Sequence, residues 1–302
     1  MNNFLIVLLG PTGVGKTDVS INIASHFNCE IISADSRQFF REMKIGTAVP
    51  SDKQLQTIPH HFVRFIPVED YYSSSLFERD VLALLDKLFQ KNNLALMSGG
   101  SGMYIDAVCD GIDDIPDINP SVRDRLLKKY TEVGIEGLRL MLKTLDPDHY
   151  AKVDLRNSKR IIRALEICES TGIPYSSFLK KQKRTREFGI IKIGLERPRQ
   201  ELYTRINLRV DEMITNGLED EARELSINRN LNALKSVGYR EFFDFFDGKI
   251  SREKAVELIK RNSRRYAKRQ LTWYNKDKDI KWFRPEQIAE IIAYIDSIRR
   301  EV

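Results

Sequence analysis

Residues 10–17 read Gly-Pro-Thr-Gly-Val-Gly-Lys-Thr, a full match to G-x-x-x-x-G-K-[ST], and follow directly on the apolar run Phe4–Leu9. A buried strand, a glycine-rich turn and a helix opening at Lys16 are the context that makes this pattern a P-loop. The glycines let successive backbone N–H groups turn inward on a polyphosphate, and the helix N-terminus adds positive dipole. The candidate phosphate-binding residues are therefore Gly10, Pro11, Thr12, Gly13, Val14, Gly15, Lys16 and Thr17. Lys16 supplies a point charge and the Thr17 hydroxyl suits Mg²⁺. A di- or triphosphate ligand follows. Which one, and what accepts the group it activates, stays open at this point.

The first part of the chain alternates strand with helix. A helix over Lys16–Phe27 precedes a short strand at Cys29–Ser33, a further strand is expected at His61–Ile66, and Leu76–Gln90 has helical periodicity. Leu94–Met97 reads as another buried strand, closed by Ser98-Gly99-Gly100-Ser101-Gly102 and a helix. Alternation of this kind indicates a parallel sheet with ligands at the carboxyl ends of its strands. From about Asp114 to Phe188 no strand is expected. Pro116 and Asn119-Pro120 mark a boundary, and helices are expected over Ser121–Tyr130, Ile135–Leu145, Asn157–Thr171 and Tyr175–Lys183. Ile190–Leu195 restores a strand, and helices fill most of the rest. The expected fold is α/β: a P-loop NTPase-like parallel sheet core over 1–113 and 189–302, with an all-helical insertion domain over 114–188. The insertion is either a lid or a structural elaboration.

Charge placement is informative. Arg252–Arg284 holds twelve Lys and Arg against four acids, a net +8, whereas the whole 302-residue chain is +6, so the remainder is about −2. A polyanionic partner is implied. At 100° per residue, Arg261, Arg264, Arg265 and Lys268 fall on one side of a helix, with Ala255, Ile259, Tyr266 and Trp273 on the other. Nucleic-acid contact and a plain solvated face both remain open for the basic side. Cys29, Cys109 and Cys168 are too few and too widely spaced for a disulfide framework or a zinc site. No apolar run approaches the ~18 residues of a membrane span, and the N-terminal run lacks a basic n-region. A cytoplasmic protein with no membrane partner is expected.

Several side chains carry candidate chemistry. Asp35 follows a strand beside the P-loop and suits water-mediated Mg²⁺ binding, a general base, or a helix N-cap. Ser36-Arg37-Gln38 adds hydrogen-bonding groups suited to purines or phosphate. Arg205 and Arg209, at i and i+4, lie off the Ile206, Val210, Met213, Ile214 stripe and suit bidentate phosphate contact or a solvated face. Ser101 and the amides after it make a tight turn or bind phosphate.

In combination these stretches resemble the bacterial tRNA dimethylallyltransferases, also called tRNA isopentenyltransferases. The resemblance rests on GPTGVGKT at 10–17, ISADSRQ at 32–38, KIGTAVP at 44–50, SGGSGMYI at 98–105, SKRIIRALEI at 158–167, YTRINLRVDEMITNGLEDE at 203–221, SVGYRE at 236–241 and AKRQLTWY at 267–274. These run in family order over essentially the whole chain. The resemblance implies transfer of a dimethylallyl group from dimethylallyl diphosphate to N6 of the adenosine 3′-adjacent to the anticodon, in tRNAs reading codons that begin with U. It implies Asp35 as general base and Lys16, Thr17 and Arg209 as further catalytic residues, with Mg²⁺ at Thr17. The implied tRNA contacts are Asp35, Ser36, Arg37, Gln38, Ser101, Arg123, Lys159, Arg160, Ile161, Ile162 and Arg163, with Lys235, Gly238, Tyr239 and Arg240 further on. Partners are then a tRNA anticodon stem-loop and dimethylallyl diphosphate, and the protein is expected to act as a monomer. Arg37, Ser101 and Ser158-Lys159 depart from the usual family pattern, and bear on preference among tRNAs. A small-metabolite kinase would account for the first hundred residues but leaves the basic C-terminal helix without a role.

Overall fold

The computed structural model describes residues 2–113, 115, 120–179 and 183–301. In chain order its elements are β1 (Phe4–Leu9), α1 (Lys16–Phe27), β2 (Ile31–Ala34), α2 (Asp52–Thr57), β3 (His60–His61), α3 (Ser74–Leu88), β4 (Leu94–Gly99) and α4 (Gly102–Asp110). There follow α5 (Pro120–Leu145), α6 (Pro147–Tyr150), α7 (Ser158–Thr171), β5 (Gly189–Leu195), α8 (Arg199–Thr215), α9 (Leu218–Glu224), α10 (Tyr239–Phe246), α11 (Arg252–Tyr274), β6 (Lys281–Phe283) and α12 (Ile288–Glu301). The six strands form one parallel sheet in the order β3-β2-β4-β1-β5-β6.

Because successive side chains of a strand point to opposite faces, β1 feeds two cores. Phe4, Ile6 and Leu8 pack with Val19, Ile23 and Ala24 of α1 and with Ile291 and Ile295 of α12. Leu5, Val7 and Leu9 pack with Phe77, Val81 and Leu85 of α3 and Ile105 of α4. All six side chains of β1 are buried, which is why the strand reads as a continuous apolar run. Register then positions the loops. Leu9 pairs with Gly99, and Gly99 with Ala34, so Gly10, Asp35 and Gly100 leave the sheet side by side at its carboxyl edge.

The chain forms two compact units, one from the residues up to Asp110 together with those from Thr185 on, the other from Gly111 to Arg184. In the second unit, α5 is broken at Gly134 (φ 65°, ψ −170°) and packs with α7 around Val122, Leu126, Leu138, Leu142, Ile161 and Leu165. Buried Asp146 caps α6 through the His149 N–H and accepts both the N–H and the hydroxyl of Ser176.

The structure departs from expectation in several places. The strand expected over His61–Ile66 is only His60–His61, because Phe62 and Arg64 adopt left-handed backbone (φ 60° and 51°). The segment expected as a helix over Tyr175–Lys183 is a single 3₁₀ turn at Tyr175–Phe178, and its residues 180–182 lie outside the described residues. The boundary residues Pro116 and Asn119 lie outside them too. Strand β6 was not expected. Trp273 is not on the buried stripe of α11: it is 43% exposed and its Nε1 donates to Asp106. The buried stripe runs Ala255, Ile259, Ala267, Gln270 and Tyr274. Among the described residues no helix is long and apolar enough to cross a membrane.

Candidate active site

The P-loop is a turn that only glycine can close. Gly13 and Gly15 have φ of +79° and +113°, a region side chains rarely enter. A Cβ on Gly13 would also meet Ile206 Cγ1 at 2.8 Å. Lys16 opens α1, and its ammonium donates to the carbonyls of Gly10 (2.9 Å) and Pro11 (3.0 Å). Three arginines hydrogen-bond to the loop. Arg197 Nε donates to Val14 O at 2.9 Å, Arg205 Nε to Gly13 O at 3.0 Å, and Arg209 Nη1 to the Thr12 hydroxyl at 3.3 Å. Arg205 and Arg209 therefore both serve the loop from α8, where Leu202, Ile206 and Val210 form the buried face.

Asp35 sits directly after β2, in a short turn closed by the Arg37 N–H donating to its Oδ1 at 3.0 Å. Ser101 of the neighbouring β4–α4 connection holds this turn. Its N–H donates to Ala34 O (3.1 Å), and its hydroxyl accepts the Ser36 N–H (2.9 Å) and donates to the Ser36 hydroxyl (3.1 Å). Tyr266 of α11 also hydrogen-bonds Ser101.

Many of these groups line one cavity of about 680 Å³, whereas Ser101 and Arg197 stand behind its wall residues. Thr12, Lys16 and Thr17 form its phosphate-loop side, with Asp35, Arg209 and Tyr266 also in its wall. Burial lowers the Lys16 ammonium to about 8, and nearby Arg209 acts in the same direction against the Asp35 carboxylate. Burial likewise lowers Arg209, opposed by Asp35 and Glu212. The Tyr266 hydroxyl is pushed up to about 12 by burial and then by Asp35. Two cations and a carboxylate thus feel one another across a desolvated space. An anion on the loop would relieve the crowding between the cations. Among the described residues no three His, Cys, Asp or Glu side chains gather as a metal site.

The remaining sequence candidates divide. Ser36 and Arg37 line the cavity, as do Lys235, Gly238 and Arg240. Gln38 lines it too, yet its carboxamide is engaged within the protein: Oε1 accepts from Ser33 at 3.1 Å, and Nε2 donates to Thr47 O and Ala48 O at 3.2 and 3.1 Å. Tyr239 was expected on the tRNA surface, but it is fully buried with its hydroxyl on Glu221. Ile161 and Ile162 are likewise core residues of the helical unit, so their side chains are closed to RNA. Arg123 and Arg163 both pair with the buried carboxylate of Glu166, at 2.8 and 3.3 Å, whereas Lys159 and Arg160 are exposed. On α11, Arg264 donates to Asn207 Oδ1 at 2.6 Å, while Arg265 and Lys268 are exposed.

Sequence reasoning missed Gln270 and Arg197. Gln270 is the one polar side chain on the buried stripe of α11, three residues past Ala267 and four before Tyr274. That position was its available signal.

Residues 38–277 match the family model described as IPP transferase. The chain is 51% identical over 293 residues to tRNA dimethylallyltransferase 1 of Bacteroides fragilis (strain YCH46), covering 97% of each chain. It is 55% identical over 282 residues to tRNA dimethylallyltransferase 2 of Porphyromonas gingivalis (strain ATCC 33277), covering 93% of this chain and 94% of that one. Among solved structures, the tRNA isopentenylpyrophosphate transferase of Bacillus halodurans superposes with a TM-score of 0.72 at 35% identity, over 99% and 97% of the two chains. A eukaryotic dimethylallyltransferase acting on tRNA gives 0.79 at 25% identity, over 95% of this chain and 75% of that one.

Proposed function

The chain belongs to the IPP transferase family, and from that membership we propose how its cavity works. Like its relatives, it transfers a dimethylallyl group to tRNA, forming N6-(dimethylallyl)adenosine. The donor in this reading is dimethylallyl diphosphate. The acceptor is the adenosine 3′-adjacent to the anticodon in tRNAs reading codons that begin with U. The observation that carries the reading is a single cavity walled by both a phosphate cradle and the Asp35 carboxylate.

An adenine amine is a weak nucleophile, so the electrophile must be activated. As the allylic C–O bond breaks, positive charge spreads over the dimethylallyl group and the electron pair leaves with diphosphate. In this reading the P-loop amides, with Lys16 and Arg209 of the cavity wall, stabilise that growing negative charge, an electrostatic effect that needs no reorganisation at the moment of reaction. The new bond forms between N6 and the allylic carbon, and the proton lost from N6 passes to Asp35. Thr17 lines the cavity, and its hydroxyl is the protein group that would hold a Mg²⁺. A P-loop hydroxyl without an acidic cage fits that ion. When bound, the ion would neutralise charge on the leaving group.

The target base must leave its stack to reach Asp35. Arg37 and Tyr266 in the wall suit stacking and hydrogen bonding to an extruded purine. Exposed Arg265 and Lys268 on α11, and Lys159 and Arg160 on α7, are the proposed phosphate contacts. The acting form is taken to be a cytoplasmic monomer, a setting that suits tRNA as substrate and three free, buried thiols.

The test mixes purified protein, Mg²⁺ and dimethylallyl diphosphate with an anticodon stem-loop carrying A-A-A. The expected result is a mass gain of one prenyl group on the RNA. Consumption of ATP with no change in the RNA would overturn the reading in favour of a kinase.

A further inference from the structure

Gln270 joins the two loops that carry opposite halves of this reaction. Its side chain is 94% removed from solvent, at 6% exposure. Oε1 accepts the N–H of Thr12, in the P-loop, at 2.9 Å. Nε2 donates to the carbonyl of Gly100, in the β4–α4 connection, at 2.8 Å. The fit at Gly100 is tight, since a Cβ there would lie 2.4 Å from Nε2. From Gly100 the contacts continue through Ser101, which holds Ala34 and Ser36 on either side of Asp35. On the far side, the hydroxyl of Thr12 takes the Arg209 guanidinium.

We infer that Gln270 is a positioning residue that sets the diphosphate cradle in register with Asp35. The inference rests on the transferase reading above. A carboxamide meets an N–H with one end and a carbonyl with the other. Only a side chain of both polarities and this length satisfies the pair, and a buried partner left unmet costs more than the bond itself contributes. The bolt acts on relative placement: the leaving group rides on one loop and the proton acceptor on the other. Displacements near 1 Å between reacting groups lower rates by as much as ~10²-fold.

Gln270→Met keeps length and loses both hydrogen bonds. Gln270→Glu keeps the acceptor toward Thr12 but, when ionised, turns a lone pair on the Gly100 carbonyl. When protonated, its O–H donates to that carbonyl and restores the pairing. Single-turnover prenyl transfer to the anticodon stem-loop is measured across pH for the full chain and both variants, with thermal unfolding followed at each pH. For Gln270→Met the expected outcome is a rate constant about 10- to 100-fold below wild type at every pH, with KM for the stem-loop unchanged. For Gln270→Glu, the rate per folded molecule relative to wild type rises as pH is lowered, and thermal stability relative to wild type rises with it, since protonation restores a buried hydrogen bond.

Rates within about twofold of wild type for both variants overturn the inference, as does a Gln270→Glu ratio that is flat with pH or is fully accounted for by the folded fraction at the assay temperature. If Gln270→Met does not fold, the slope of the Gln270→Glu ratio decides alone. A wild-type protein that prenylates no RNA removes the transferase reading itself, and is thereby distinguished from failure of the inference.

Discussion

Tyr239 and Glu221 form a buried pair in which the phenol donates to Oε1 at 2.7 Å. The same carboxylate accepts the N–H groups of Lys44 (2.9 Å), Ile45 (2.8 Å) and Gly46 (2.9 Å). Burial and the adjacent carboxylate hold the phenol far above its ordinary range, so it stays a donor. Glu221 thereby shapes the 44–48 turn, whose Thr47 and Ala48 carbonyls fix the Gln38 carboxamide in the cavity wall.

Tyr239→Phe removes one charge-assisted bond and leaves three backbone donors on Glu221. The expected loss is about 1.5–3 kcal/mol of stability, read from the urea midpoint. Affinity for tRNA is expected to stay within twofold, roughly 0.4 kcal/mol, since the ring is closed to solvent. A large loss of tRNA binding in a fully folded variant would instead return Tyr239 to the RNA surface.

Asp35→Asn keeps the acceptor for the Arg37 N–H and abolishes the base. Single-turnover transfer is expected to fall by about 10²–10⁴, with the stem-loop still bound in a filter assay. A near-normal rate would reject Asp35 as the proton acceptor.

Lys16 gives the site a pH dependence of definite sign. Its ammonium is lowered to about 8 by burial, so the free protein carries this charge below about 8 and loses it above. Affinity for inorganic pyrophosphate should therefore weaken as pH rises through that value, by about 10-fold or more for a lost charged hydrogen bond. Lys16→Arg keeps its charge throughout, so calorimetric titrations of the two proteins separate this inflection from titration of the probe. Equal pH profiles would show that Lys16 does not titrate there.

Arg265→Glu combined with Lys268→Glu tests the outward face of α11, where both side chains are exposed. Stem-loop binding should weaken, and the slope of log K against log[salt] should shrink by roughly 1.5 for two lost phosphate contacts. An unchanged slope would make this a solvated face only. Arg264 is a poorer probe, because it also anchors Asn207.

The parts of the molecule written as local pattern were legible from the chain. The apolar run of β1, the glycines of the P-loop and the position of Asp35 after β2 all depend on neighbours within a few residues. Parts decided by distant contacts were not. The three residues of β6 begin with a lysine, and gain strand geometry only by pairing with Ile193, Gly194 and Leu195. Phe62 and Arg64 carry β-favouring flanks yet take positive φ. Tyr239 lies in a motif that reads as a recognition segment, but its partner is a carboxylate eighteen residues earlier. Gln270 sits among arginines and lysines, and its meaning appears only when Thr12, 258 positions away, is brought beside it.

The sheet also sets an order of events during synthesis. Phe4 pairs with Gly189, and the intervening chain includes the whole of the 111–184 unit. On the ribosome, β1 can find β4 early but must wait for that entire unit to emerge before its other edge is covered. For that interval an apolar strand has an open side, the condition under which nascent chains attract chaperones or each other. A slow-folding variant of the helical unit would not lengthen this wait, which is set by translation speed. Codon choice across those residues would.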